Sequence, residues 1–169
     1  DVTHQEFLSR TLSALTVDEK TLPVLAEAMK DTHAIEVRKS ALMAVATIAG
    51  RHFDKVTGYQ SSQEGNGDGT VVLKPVENPT ITNAEVLEQL RQTAQAPEPV
   101  LRHLAAFAIG NVGGEKSMEQ LKVLLTDSDR FARANAAMGL ARNGSTECVP
   151  TLIGLMNESL VPFDRSSVK

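Results

Sequence analysis

The chain has 169 residues, of which 41% are hydrophobic and only 4% aromatic, with no Trp. A chain of this length can bury a sizeable core, and a core so poor in aromatic side chains favours helices packed on helices over a β-sandwich or barrel. The net charge is −4 with scattered basic residues, which argues against nucleic-acid binding. No apolar run is long enough for a membrane span, and the single cysteine, Cys148, excludes an intrachain disulfide.

The N-terminal third of the chain predicts helices joined by short turns. Residues 4–15 place leucines at helical spacing. A second helix is predicted over Leu22–Lys30, and a third from Arg38 to Ala49, where alanines recur along one stripe. We therefore expect a half repeat followed by a complete helical hairpin. The first helix of each hairpin is called helix A below, and the second is called helix B.

Residues 51–80 interrupt this helical pattern. Their glycines and prolines disfavour another pair of helices, and two β-rich stretches around a Gly/Asn/Asp cluster predict a β-hairpin or an irregular loop. Within the cluster, Glu64, Asn66 and Asp68 resemble the start of a calcium-binding loop. The match is incomplete because Pro75 stands where such a loop needs a bidentate glutamate. A polar hairpin tip is the default interpretation and calcium binding is the alternative.

Helical hairpins then recur with a short period. Arg102 and Arg133 are 31 residues apart, and both align with Arg38 at the start of a helix B. Alanine or glycine stands three, six and eight residues after each arginine, and such small side chains let helix axes approach closely. The helices A of these repeats are predicted over Val86–Thr93, Met118–Thr126 and Val149–Asn157. Residues 163–169 resemble the first turn of a further helix B.

The sequence also predicts how the turns between helices are built. Glycines at 113 and 144 are typical of helix C-caps. The three aligned arginines could form a track for anions, but their regular recurrence favours structural pairing with turn aspartates such as Asp31 and Asp129. The stretch Gln95–Pro99 predicts a longer turn in the second hairpin.

Two segments carry a resemblance to a known family. VRKSALMAVA at 37–46 and RHLAAFAIG at 102–110 resemble the HEAT repeat, closest to the short type also found in phycobilisome lyases. The resemblance covers nearly the whole chain except 51–80. It implies an all-α fold, an α-α superhelix of about three full hairpins with a half repeat at each end, forming one domain over residues 1–169. Terminal repeats of solenoids normally carry polar caps, so we expect the chain to be a segment of a longer protein.

The resemblance also implies a scaffold or adaptor that holds its partner on the concave face. The position five residues after each aligned arginine points away from the predicted core and holds Met43, Phe107 and Met138, called the apolar ladder below. Adaptable methionines with an aromatic residue suit a protein-binding surface. Alternatively, curvature or the insertion buries them. The neighbours that complete the candidate surface are Thr47, Leu104, Asn111, Asn135 and Arg142.

No catalytic motif accompanies this surface. The histidines form no His-Glu dyad, and neither a GxSxG elbow nor a phosphate-binding loop occurs. We therefore predict a non-catalytic scaffold that binds another protein, with no cofactor, no metal and no nucleic acid. The alternative is a lyase-type chaperone or enzyme-associated subunit that holds a chromophore or substrate, which needs a deep pocket with convergent polar groups.

Overall fold

The computed structural model describes residues 19–57 and 79–160. In these residues a short 3-10 helix, Glu19–Thr21, precedes seven α-helices and no strand occurs, so the fold is all-α as the sequence predicts. The helices are α1 (Leu22–Met29), α2 (Ile35–Thr57), α3 (Ala84–Thr93), α4 (Pro99–Val112), α5 (Glu115–Leu124), α6 (Arg130–Arg142) and α7 (Val149–Leu160).

The helices alternate between two layers, as a solenoid of hairpins requires. Helices α1, α3, α5 and α7 are helices A, and α2, α4 and α6 are helices B. The helix B layer is the more tightly stacked: α4 packs extensively against both α2 and α6, whereas successive helices A touch much less. Because the layer with the closer neighbours lies on the inside of a curved stack, the helices B form the concave face.

Small residues make this close stacking possible. At the crossing of α4 and α6 the two backbones touch, since a Cβ built on Gly110 would lie 2.7 Å from the Cα of Gly139. The rest of the layer is lined by alanine, and Ala105, Ala106 and Ala136 are all 0% exposed. Larger aliphatic side chains fill the space between the two layers: Leu42, Leu90, Leu101, Ile109, Leu121 and Leu140 are fully buried.

Caps end the helices largely where the sequence predicts. Gly113 is the C-cap of α4 with φ 71°, and Gly144, just beyond α6, has φ 79°, a left-handed conformation that glycine adopts without strain. Asp129 caps the N-terminus of α6, where its carboxylate accepts the main-chain N–H of Ala132 at 2.8 Å.

Two boundary predictions are wrong. Helix α2 continues past Gly50 to Thr57, so residues 51–57 of the predicted insertion are helical and cannot contribute to a β-hairpin. The turn at 94–98 has the same length as the turn at 125–129, so the second hairpin is not lengthened. Proline at 97 is accommodated within that turn, and Pro99 starts α4, where its missing N–H costs no hydrogen bond.

Several predictions fall outside the described residues. These are the half repeats at 4–15 and 163–169, the remainder of the insertion from 58 to 78, and the calcium candidates Glu64, Asn66 and Asp68. Within the described ranges, no helix combines the length and the apolar character needed to cross a membrane.

Candidate interaction surface on the helix B layer

The apolar ladder lies in the open on three consecutive helices B. Met43 on α2 is 41% exposed, Phe107 on α4 is 39% exposed and Met138 on α6 is 53% exposed. These values are high for large apolar side chains in a layer whose other face is fully buried. Because α2, α4 and α6 stack in order, the three side chains form a row across the concave face.

A fourth apolar residue, Phe131, extends this row along α6. It is 64% exposed and lies seven residues before Met138, on the same face of the helix. Its ring meets that of His103 on α4 edge to face, with 5.9 Å between centroids. Phe131 precedes the aligned Arg133 and so was not among the predicted surface residues, although its spacing of seven residues from Met138 was a usable signal.

Three predicted neighbours of the ladder are partly buried and help to hold it in place. Leu104 packs against the core beside Phe107. The Thr47 hydroxyl donates to the carbonyl oxygen of Met43 at 2.8 Å, one turn back in α2. The Asn135 side chain donates to the carbonyl oxygen of His103 at 2.8 Å, which links α6 to α4. These residues therefore fix the helices that display the ladder.

Asn111 and Arg142 form a polar bridge between helices B. Asn111 is only 4% exposed, and its amide donates to the carbonyl oxygen of Ala46 at 3.3 Å, joining α4 to α2. Its side-chain oxygen accepts a hydrogen bond from Arg142 on α6. Asn111 is thus a buried link between three helices, and we leave it out of the surface that a partner would contact.

The aligned arginines contact three different kinds of group, and only Arg102 pairs with a turn aspartate as predicted. Arg38 donates to the Met29 carbonyl oxygen at 3.0 Å instead of to Asp31. Arg102 holds both carboxylate oxygens of Asp127, at 2.8 and 2.9 Å. Arg133 reaches Glu158 at 3.0 and 3.1 Å instead of Asp129, which is used as a helix cap.

The Arg102–Asp127 pair has an electrostatic consequence. The two side chains are 14% and 10% exposed, so solvent screens their attraction only weakly. The guanidinium of Arg102, with the main-chain N–H of Asp129, holds the pKa of the Asp127 carboxyl below its ordinary value of 3.8. Asp127 in turn raises the pKa of Arg102. The pair therefore fastens the second repeat to the third as a fixed ionic contact.

The buried cysteine and a cavity between the helices lie away from the apolar ladder. Cys148 is 2% exposed, and burial raises the pKa of its thiol, which does not favour a nucleophilic role. A cavity of about 550 Å³ lies between α3, the end of α4 and the start of α5, where Leu87, Leu90 and Ile109 make its lining mostly apolar. In the part of the chain that the structure describes, no group of three or more His, Cys, Asp or Glu side chains could hold a metal ion.

Stacked helical hairpins with a tight inner layer and a wider outer layer define an α-solenoid. Residues 86–168 match the family model of HEAT repeats. This part of the chain is therefore similar to HEAT repeats, and α1 and α2, which precede the match, continue the same stack. No curated protein matches the sequence.

Proposed function

We propose that this protein is a non-catalytic scaffold that binds a partner protein on its concave face. The contact surface consists of the apolar ladder with Phe131, flanked by Thr47, Leu104, Asn135 and Arg142. The observation that carries this proposal is the exposure of Met43, Phe107 and Met138 at one equivalent position of three stacked helices. Contiguous exposed apolar side chains in a soluble protein typically mark an interaction surface.

The family supports the same function, because HEAT repeats generally serve as scaffolds for protein interactions. Methionine supports it chemically, since its flexible thioether adapts to different partner side chains. The aromatic rings of Phe107 and Phe131 supply rigid area that loses little conformational entropy on binding.

A lyase-type chaperone that holds a chromophore or substrate is the alternative. Such a protein needs an enclosed site with convergent polar groups. Neither described cavity is such a site: the one of about 550 Å³ has a mostly apolar lining, the one of about 500 Å³ beside Arg38 is polar but open to solvent, and no ladder residue lines either. The scaffold is therefore the better supported of the two functions. The phycobilisome-lyase subtype belongs to the alternative.

The experiment is affinity capture, in which the wild type is compared with two variants that each have three exposed apolar residues replaced by Ser. In the first, Met43, Phe107 and Met138 are replaced by Ser. In the second, three exposed apolar residues of helices A, Val123, Ile153 and Met156, are replaced by Ser. We expect a partner to be retained by the wild type and the second variant and lost by the first. Circular dichroism establishes that both variants are equally helical.

The other outcomes contradict the proposal. Retention of the partner by the ladder variant moves the site away from the concave face. Equal loss in both variants indicates a general effect of apolar surface. A retained nucleic acid whose binding weakens steeply with salt argues against a protein partner, because counterion release makes nucleic-acid binding strongly dependent on salt.

A further inference from the structure

The arginine near the start of helix B has a carboxylate partner in two repeats but not in the first. Arg102 bonds both oxygens of Asp127, and Arg133 bonds both oxygens of Glu158. Arg38 donates through Nε to a main-chain carbonyl of its own hairpin. Among the described residues no carboxylate lies within ion-pair distance of its guanidinium. The Nε of Arg38 is therefore occupied, and its two terminal nitrogens, Nη1 and Nη2, remain as donors for an acidic group.

The missing partner can be located by comparing two turns. Ala96 in the α3–α4 turn and Asp127 in the α5–α6 turn occupy equivalent places. The carbonyl oxygen of each accepts a hydrogen bond, at 3.0 Å, from Nη1 of the arginine six residues later, Arg102 and Arg133 respectively. Asp127 presents its carboxylate to the arginine of the preceding repeat. Ala96, at the same place, has no carboxylate to present to Arg38.

A cavity opens at this position. Arg38 and Ala96 both line a space of about 500 Å³ between the α1–α2 turn and the α3–α4 turn. The carboxamides of Gln89, Gln92 and Gln95 line it as well, and each can both donate and accept hydrogen bonds. The cavity, called the Arg38 pocket below, is therefore polar and lies at the edge of the turns, away from the apolar ladder.

The charged side chains of the pocket balance. Lys30 lines it beside Asp31 and Glu98, so with Arg38 it holds two basic and two acidic side chains. A simple anion such as phosphate offers acceptors to Arg38 but few donors to the acceptor groups around it. A peptide with an acidic side chain offers carboxylate oxygens to Arg38 and main-chain N–H and C=O groups to the carboxamides, so it matches both kinds of group in the lining.

We infer that the Arg38 pocket binds an acidic side chain of a peptide segment from a partner protein. The carboxylate of the partner accepts hydrogen bonds from Nη1 and Nη2 of Arg38, whose Nε is bonded to the Met29 carbonyl oxygen. This inference goes beyond the proposed concave-face function and does not depend on it, because no residue of the apolar ladder lines the pocket.

The test is a titration followed by nuclear magnetic resonance on the whole chain. The probe is the blocked tripeptide acetyl-Gly-Glu-Gly-amide, and its glutamine counterpart and inorganic phosphate are the comparison ligands. We expect the glutamate peptide, at millimolar concentration, to shift the side-chain N–H signals of Arg38, Gln92 and Gln95 in a saturable way. Neither comparison ligand should do so.

Three variants connect these shifts to the pocket. Arg38→Gln removes the donor fork and should abolish the shifts. Ala96→Asp supplies a carboxylate within the chain, so it should also abolish them, and circular dichroism checks that this variant still folds because Ala96 is only 7% exposed. Arg91→Gln removes an exposed arginine that lies outside the pocket, and it should leave the shifts unchanged.

Several results would overturn the inference. One is the absence of shifts in the wild type, and another is an equal response to the glutamate and glutamine peptides. A response to phosphate alone points to simple ion attraction and rejects the peptide. Shifts that persist in both Arg38→Gln and Ala96→Asp place the peptide elsewhere on the molecule. Retention of the partner by the ladder Ser variant in affinity capture contradicts the concave-face function but does not bear on the Arg38 pocket, so the two proposals fail separately.

Discussion

At the scale of single residues, the contact between Gly110 and Gly139 tests the stacking of helices B most directly. A Cβ on Gly110 would lie 2.7 Å from the Cα of Gly139, a backbone atom that cannot move without shifting its helix. We expect Gly110→Ala to lower the free energy of unfolding by about 1–3 kcal/mol through overpacking, although alanine is the better helix former. Urea denaturation measures this change.

Gly154→Ala is the matched control for this prediction. Gly154 lies in α7, and nothing stands within 4 Å of the position that its Cβ would take. The same substitution there should stabilise the protein by up to about 1 kcal/mol, because only helix propensity changes. Effects of the same sign at Gly110 and Gly154 would contradict the close approach of α4 and α6.

The Arg102–Asp127 pair predicts a dependence of stability on pH. Because the pKa of Asp127 is lowered in the folded protein, its carboxylate stabilises the fold above its ordinary pKa of 3.8. This contribution disappears as pH falls through the lowered folded-state pKa. Asp127→Asn should therefore cost about 1.5–3 kcal/mol at neutral pH, and the difference from the wild type should shrink below pH about 4. Denaturation over a pH series measures it.

An exposed pair provides the contrast. Arg91 holds the pKa of Glu88 at about 2, but the two side chains are 48% and 45% exposed. Glu88→Gln should have a smaller effect than Asp127→Asn, and added salt should remove it, because solvent ions screen exposed charges. A difference for Asp127→Asn that is constant from neutral to acidic pH would mean that its ionic contact does not stabilise the fold.

At the scale of elements, helices were predictable where small residues repeat and less predictable where the period breaks. The helices A and B around Arg102 and Arg133 follow from the spacing of alanine, glycine and arginine. The end of α2 at Thr57 does not, because Gly50 suggests a cap that the structure does not use. Glycine inside a helix is tolerated when the following residues continue the helix, and composition alone cannot reveal this.

A second feature of this scale is a set of side-chain amides that join consecutive helices B. Asn143, at the end of α6, is 6% exposed and donates to the carbonyl oxygen of Gly110 at 3.0 Å and to that of Gly139 at 2.7 Å. Asn111 donates in the same way to the carbonyl oxygen of Ala46. Ala46 and Gly110 occupy equivalent positions, because each lies eight residues after the aligned arginine of its helix. Equivalent carbonyls thus receive amides from the next helix along the stack.

Removal of one such amide should loosen a single interface. Asn143→Ala removes the amide donor to the buried Gly110 carbonyl and leaves the Gly139 carbonyl only the main-chain N–H of residue 143, so it should cost about 1–3 kcal/mol. Hydrogen exchange should rise in α6 and at the end of α4, where the lost bonds lie. Asn135→Ala serves as comparison, since it removes one partly buried bond to His103 and should cost less. An equal cost for both variants would contradict the role assigned to burial.

At the scale of the whole molecule, the two helical layers were more predictable from the sequence than the exposure of side chains on the helix B layer. The ladder could be placed by its helical position, but its exposure depends on the curvature of the stack, which no local pattern records. Asn111 was assigned to the surface because its helical position lies beside the ladder. The structure buries it, since the neighbouring helix α2 comes close enough to cover that side of α4.

The Arg38 pocket was not foreseen for a related reason. The three arginines look alike in the sequence, and only their partners distinguish them. Those partners lie 25 residues further on for Arg102 and Arg133, in the following repeat. The residues that follow Arg38 at that distance fall in the insertion, so the alignment offered no equivalent position for comparison.

The solenoid as a whole predicts a gradient of local stability along the chain. In a stack each repeat is stabilised by its neighbours, so an element with neighbours on both sides opens least. Helix α4 packs extensively on both α2 and α6, whereas α1 and α7 have fewer contacts in the described stack. Amide exchange followed by mass spectrometry should therefore be slowest in α4. Gly110→Ala should speed exchange in α4 and α6 more than in α1, because the damaged interface is theirs alone. Uniform acceleration across all helices would mean that the molecule unfolds as one cooperative unit, and faster exchange in α4 than in α7 would contradict the stacked arrangement.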